Sequence, residues 1–278
     1  MHEPDPPTTD PVAAVRARVE ERFPADLERV RDYLRMPSIS ATGQGIREVA
    51  HATAGWIEDA GGAARVLETG GHPLVLGEFT GPAGSPRLLR YGMYDVQPVE
   101  PDEWSSPPFA AEVRDLPGVG PAVVARGSAN SKGCLAGLFV AVDILNELGL
   151  MPATIALLIE GEEELGSIHL AESVRAHRDE LAAEAAFDLD LTEDVDGRAA
   201  LILGCKGLLS LELRAAAGEW GGPAVDLHSS EQAWIASPAW ALVHALATLT
   251  DADERIAVEG FHDAVLPPSE DDEVLLKV

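Results

Sequence analysis

The chain has 278 residues, 47 acidic against 20 basic, and a formal charge of −27 at pH 7, a balance that repels phosphate backbones and anionic lipid surfaces and argues against nucleic acid as a partner. Its 46% hydrophobic content is broken into short runs among loops holding 26 Gly and 20 Pro, as in a globular α/β chain long enough to bury its own core. No apolar run approaches the roughly 20 residues of a membrane-spanning helix, and the acidic, Pro-rich residues 1–11 lack the layout of a secretory signal, so a cytoplasmic location without a membrane partner is expected.

Residues 12–34 have helical apolar spacing, with Pro24 expected to open a second helical piece, and 46–60 repeat that spacing until Gly61-Gly62 stops it. Strand-like runs follow at 73–79 and 87–91, then an acidic, Pro-rich loop at 98–108 and an apolar run at 122–125. A helix is predicted over 131–148, with Ser128, Asn130 and Ser131 as candidate N-caps. Residues 154–159 form a continuous buried-strand run and 167–184 are helical again. This alternation predicts an α/β domain over 1–206, a mostly parallel sheet sandwiched by helices. Residues 208–215 alternate apolar and polar, as an antiparallel strand with one wet face does. A second, smaller α+β domain is therefore expected over 207–278, with a helix at 238–249. Cys134 and Cys205 lie too far apart for a zinc-ligand pair and are expected to be buried apolar residues.

Three segments concentrate chemistry where a strand gives way to a loop, the place where open α/β sheets put their sites. They are Tyr91-Gly92-Met93-Tyr94-Asp95-Val96-Gln97-Pro98, Ala125-Arg126-Gly127-Ser128-Ala129-Asn130-Ser131-Lys132-Gly133, and Glu160-Gly161-Glu162-Glu163-Glu164-Leu165-Gly166-Ser167. Taken singly, each has a structural explanation. The acidic run suits a solvated turn or the surroundings of a cation, Asn130 suits a helix cap, Asp95 a cap on the turn before Pro98, and Met93 core packing.

In this order, the segments resemble the aminoacylase, carnosinase and desuccinylase family of two-zinc peptidases and deacylases. That family carries Tyr-Gly-His-Tyr-Asp-Val-Gln-Pro, Gly-Arg-Gly-x-x-Asp-Asp-Lys-Gly and Glu-Gly-x-Glu-Glu-x-Gly-Ser at its strand ends. Residues 104–109 match its Trp-x-x-x-Pro-Phe segment, and Asp226-Leu227-His228-Ser229 matches its Asp-Leu-His-Ser. The resemblance implies a catalytic domain binding two zinc ions and a smaller lid domain that dimerises. It places the general base at Glu163, a metal ligand at Glu164, a ligand-orienting carboxylate at Asp95, a further ligand at Asp190 and the lid histidine at His228.

The departures from that pattern matter as much. The first histidine ligand is Met93 here, and a thioether suits soft ions such as Cu(I) rather than zinc among oxygen and nitrogen donors. The bridging aspartate is Asn130, whose neutral amide cannot hold two divalent ions together, and its neighbouring acid is Ser131. The chain also ends before the segment that carries the family's last metal histidine. Of the ligand positions, Glu164 and Asp190 remain acidic as vestiges.

Three functions follow as expectations. The first is a metal-deficient, non-hydrolytic relative acting as a subunit, with no cofactor, in a homo- or hetero-oligomer with an intact family member or a separate C-terminal half. The second is an amide hydrolase or acyl-transfer enzyme on dipeptides or N-acyl amino acids, using Glu163 as base with weak or single zinc. The third is a module that binds an amino-acid-like small molecule, with Arg126 and Lys206 as the nearest cations.

Overall fold

A computed structural model of the chain describes residues 10–188, 202, 207–216, 218 and 220–275. The chain divides into two compact units, Met1–Ile202 and Leu203–Val278.

In the first unit, helix α1 (Pro11–Arg35) starts at Asp10, whose side chain accepts the Val12 N–H at 3.0 Å, and carries Pro11 where a missing N–H costs nothing. Pro24 does not split it, contrary to the sequence expectation; the helix is continuous. A proline inside a helix removes one hydrogen bond, and here neighbouring ion pairs clamp the two sides. Arg22 before the proline and Arg29 after it both hold Asp143 of α3 (Lys132–Glu147), at 2.6 and 3.0 Å. Helix α2 (Ile46–Asp59) begins after Gly45, which has φ +71° and sits so close to Pro37 that a Cβ would lie 1.9 Å from its carbonyl oxygen.

Five strands form the central sheet: β1 (Ala63–Leu67), β2 (Leu74–Phe79), β3 (Arg87–Met93), β6 (Thr154–Glu160) and β7 (Ala185–Asp188), in the order β1-β2-β6-β3-β7. β3 runs parallel to both β6 and β7, while β2 is antiparallel to β1 and β6. Four strands therefore point one way and β2 alone is reversed. A separate hairpin pairs β4 (Glu112–Leu116) with β5 (Gly120–Val124), so the 122–125 run lies outside the central sheet.

Alternation of side chains gives the sheet two apolar faces. Val75, Phe79, Leu157 and Ile159 pack against Val49, Trp56 and Ile57 of α2 and Leu135 and Phe139 of α3. Leu74, Leu76 and Leu158 face the other way, towards Leu181 and Leu170 of helix α4 (Leu170–Ala176). The helix expected over 167–184 is only this short α4. Sheet geometry consumes the rest: the Glu184 N–H pairs with Arg87 O at 2.9 Å, and the Arg87 guanidinium takes the carbonyls of Glu180 and Ala182. Those carbonyls are the acceptors a longer helix would need.

In the second unit, 208–215 forms no strand, which corrects the expected antiparallel strand. A strand needs a neighbour to satisfy its backbone groups, and among the described residues none pairs with it; Leu208 is 95% exposed. The unit contains α5 (Pro238–Leu246), capped by Ser237, and α6 (Glu270–Leu275). Its single bridge among the described residues joins Thr250 to Ile256. Among the described residues no helix is long and apolar enough to cross a membrane.

Candidate functional site

Because β3 and β6 are parallel neighbours with Met93 opposite Glu160, the first and third motif segments leave the sheet side by side. The Tyr94 N–H donates to Glu160 O at 2.8 Å. Gly161 lies against the Tyr94 phenol so closely that a Cβ would sit 2.3 Å from its oxygen, while that hydroxyl donates to Pro73 O at 2.6 Å. The second segment arrives from the β5 hairpin instead of the central sheet. Gly127, at φ +84°, packs on Val96. Arg126 donates to Pro98 O at 3.1 Å and stacks 5.2 Å above the Trp104 ring, so the 104–109 segment buttresses the loop after β3.

The acids divide by burial. Asp95 is fully buried, and its two oxygens accept the backbone N–H groups of Glu163 at 3.2 Å and Glu164 at 3.1 Å. Burial pushes its carboxyl above the usual range, and these two N–H donors work against that push. Glu160, also buried, accepts from the Tyr91 hydroxyl at 2.5 Å and the Ser167 hydroxyl at 2.8 Å; burial raises it in the same way. Glu162 accepts the His72 N–H at 3.0 Å and pairs with His169 Nδ1 at 2.8 Å. Burial works to raise Glu162, but His169 and the His72 N–H outweigh it and hold the carboxyl below its ordinary range. Glu163 and Glu164 stand half-buried on a short 3-10 turn, Glu163–Leu165, and Glu164 accepts from Gln97 Nε2 at 2.8 Å.

Asp95 therefore caps the acidic turn rather than the turn before Pro98. Met93 is buried at the end of β3. Asn130 is exposed, and its amide oxygen accepts the hydroxyl of buried Ser131 at 2.6 Å; Ser131, not Asn130, occupies the N-cap position of α3, without a side-chain cap bond. Lys132 is buried, donates to Met36 O at 2.6 Å and lies 4.8 Å above the Tyr33 ring, and burial lowers it to about 7. Cys134 is half-buried, with its thiol on Ala129 O at 3.2 Å. Asp190, Cys205 and Lys206 lie outside the described residues. His228 belongs to the second unit, exposed, where its Nδ1 accepts the Ser230 N–H at 3.2 Å and caps the short helix Ser229–Ala233.

Sequence reasoning placed Tyr91 and Glu162 in its motif segments without a role of their own, and it missed His72 and His169. A signal existed for Glu162: it shares the parity of Leu158 and Glu160, which point to one side of β6. Its partner His72 is 90 positions away, and local pattern does not reach that far.

Residues 90–276 match the model of peptidase family M20/M25/M40. The chain belongs to this family. Among curated members it is 31% identical to the Cys-Gly metallodipeptidase of Schizosaccharomyces pombe over 208 residues, 72% of this chain and 41% of that protein. It is 26% identical to the Beta-Ala-His dipeptidase of Mus musculus over 211 residues, 74% of this chain and 41% of that one. The chain thus spans about two fifths of the length of the curated M20/M25/M40 relatives it matches. Among solved structures, an M20 family metallo-carboxypeptidase from Sulfolobus solfataricus superposes with a TM-score of 0.77 at 33% identity, covering 91% of this chain and 56% of that one. The dipeptidase structure from Saccharomyces cerevisiae, at 22% identity and TM-score 0.71, shows the shared fold.

A two-zinc centre can be tested against the donors present. Met93 offers a thioether and Asn130 a neutral amide where the resemblance implies histidine and a bridging carboxylate. Among the described residues no three His, Cys, Asp or Glu side chains gather in an arrangement that could hold a metal ion. The described donors do not fit two zinc ions.

Proposed function

We propose that this chain is a metal-deficient M20/M25/M40 relative that does not hydrolyse amides through zinc on its own, and that acts in the cytoplasm as a subunit alongside an intact family member or a separate C-terminal half. The observation that carries this reading is the pair Met93 and Asn130, a buried thioether at the end of β3 and a neutral amide on the loop after β5. A thioether is a poor zinc ligand among oxygen and nitrogen donors, and a neutral amide does not bridge two divalent ions as a carboxylate does.

Zinc analysis after dialysis, with turnover assays on Cys-Gly, β-Ala-His and a panel of N-acyl amino acids with and without chelator, tests it. Absence of turnover in both conditions supports the proposal; turnover abolished by chelator overturns it. One observation favours a second reading, hydrolysis with Glu163 as base: its backbone N–H is held by Asp95, which fixes the turn that carries it. Positioned acid–base catalysis contributes roughly 10² to 10⁴-fold, so chelator-resistant turnover lost in Glu163→Gln identifies that case.

A further inference from the structure

We infer that the Glu163–Glu164 turn is held in place by three buried carboxylates of this chain, Asp95, Glu160 and Glu162, so that the loop is organised without a metal ion, and that Asp95 is its positioning residue. The inference rests on the metal-deficient reading and says what took the ion's structural place.

Each of the three acids has its lone pairs turned onto the loop or its supports. Asp95 receives both N–H groups at the start of the turn, at 3.2 and 3.1 Å. These are donors that a helix start leaves without intrahelical partners, and a charged acceptor makes the stronger class of hydrogen bond. Glu160 holds the far end through the Ser167 hydroxyl at 2.8 Å and is itself steadied by Tyr91 from β3. Glu162 ties the loop sideways to the β1–β2 turn through the His72 N–H at 3.0 Å and to the start of α4 through His169.

The β1–β2 turn is shaped for this contact. A Cβ on Gly71 would fall 1.8 Å from the Glu162 carboxylate, and one on Gly70 would fall 2.7 Å from the His169 ring. Only bare backbone fits against the pair. The His72 ring in turn contacts Ser40 O at 2.8 Å. Backbone bonds close the loop on itself: the N–H groups of Leu165 and Ser167 both reach Glu162 O, at 3.0 and 2.9 Å. Buried carboxylates this close repel one another at a cost in stability, and donors supplied by the protein oppose that repulsion: two backbone N–H groups on Asp95, two hydroxyls on Glu160, and the His72 N–H with His169 on Glu162.

Amide hydrogen exchange on the full chain tests this, comparing protein dialysed against chelator with protein given stoichiometric zinc. The amides of Glu163, Glu164 and Ser167 should exchange at the same rate in both, and the thermal midpoint should not move. Asp95→Asn should speed exchange at Glu163 and Glu164 by tenfold or more beyond any change in the amides of α1, a local effect that general destabilisation does not produce. If Asp95→Asn does not fold, His169→Ala, at a partly exposed position, should speed exchange at His72 and Ser167 in preference to α1. Zinc slowing the Glu163 and Glu164 amides tenfold, or a folded Asp95→Asn leaving them unchanged, overturns the inference. Turnover of a dipeptide with zinc-insensitive exchange would instead remove the non-hydrolytic reading and leave the positioning role standing.

Discussion

Asp95 and Glu163 sit 68 positions apart in the chain and meet through the backbone: Asp95 Oδ1 accepts the Glu163 N–H at 3.2 Å. The contact exists because β3 and β6 are parallel neighbours, which delivers both loops to the same edge of the sheet. A carboxylate read from sequence as the partner of a metal-binding histidine is here the cap of the acidic turn. Its neighbour in that reading is Met93, which offers it no imidazole to orient.

Restoring the donors should restore metal affinity. The double variant Met93→His, Asn130→Asp replaces a thioether and a neutral amide by an imidazole and a carboxylate, both good zinc ligands. After exhaustive dialysis against zinc-free buffer, it should retain more zinc per chain than the parent protein by elemental analysis. Equal metal content in the two would show that these positions do not control binding.

Acid stability should depend on Asp143. Its carboxyl is held below the ordinary range: burial works to raise it, and the hydrogen bonds from Arg22 and Arg29 outweigh that. A depressed carboxyl contributes stability above its unfolded value of 3.8 that is lost as the pH falls through the lower folded value. Asp143→Asn should therefore cost about 1–3 kcal/mol in urea unfolding at pH 7, and the gap between parent and variant should close in acid below that range. A gap that persists unchanged would place the effect in packing instead.

Tyr91→Phe removes one of the two hydroxyl donors on buried Glu160 and leaves Ser167. A buried charged acceptor that loses a donor costs about 1–3 kcal/mol, so the unfolding free energy should fall by that amount and the denaturation midpoint should fall with it. A midpoint unchanged within error would mean that water replaces the phenol.

Gly161→Ala should disturb Tyr94, because the new methyl would lie 2.3 Å from the phenol oxygen of a fully buried ring. Overpacking of this kind costs about 1–3 kcal/mol, and the near-ultraviolet circular dichroism of the tyrosines should change with it. Gly137, in α3 with open space around its Cβ position, provides the control: Gly137→Ala should not destabilise.

Much of the fold was legible along the chain. The continuous apolar run that became β6 and the helical period that became α3 needed only local information, because burial on both faces or on one stripe leaves its mark on neighbouring residues. β1 was not legible: Ala63–Leu67 is exposed at alternate positions and becomes a strand through its pairing with β2. The stretch after Ser167 looked helical because its residues favour helix, yet Arg87 claims the carbonyls that would continue it.

The sequence by itself determined the family, since that is a statement about which residue types stand in an ordered set of motifs. Met93 and Asn130 are visible without coordinates. Only the tertiary structure decided what the surviving acids do. Whether a carboxylate binds an ion, faces water or caps a turn depends on donors brought from distant segments, such as the His72 N–H on Glu162 and the Glu163 and Glu164 N–H groups on Asp95. Hydrogen bonds act over about 3 Å of space, and the distance in space between those groups is set by strand pairing, not by their separation along the chain.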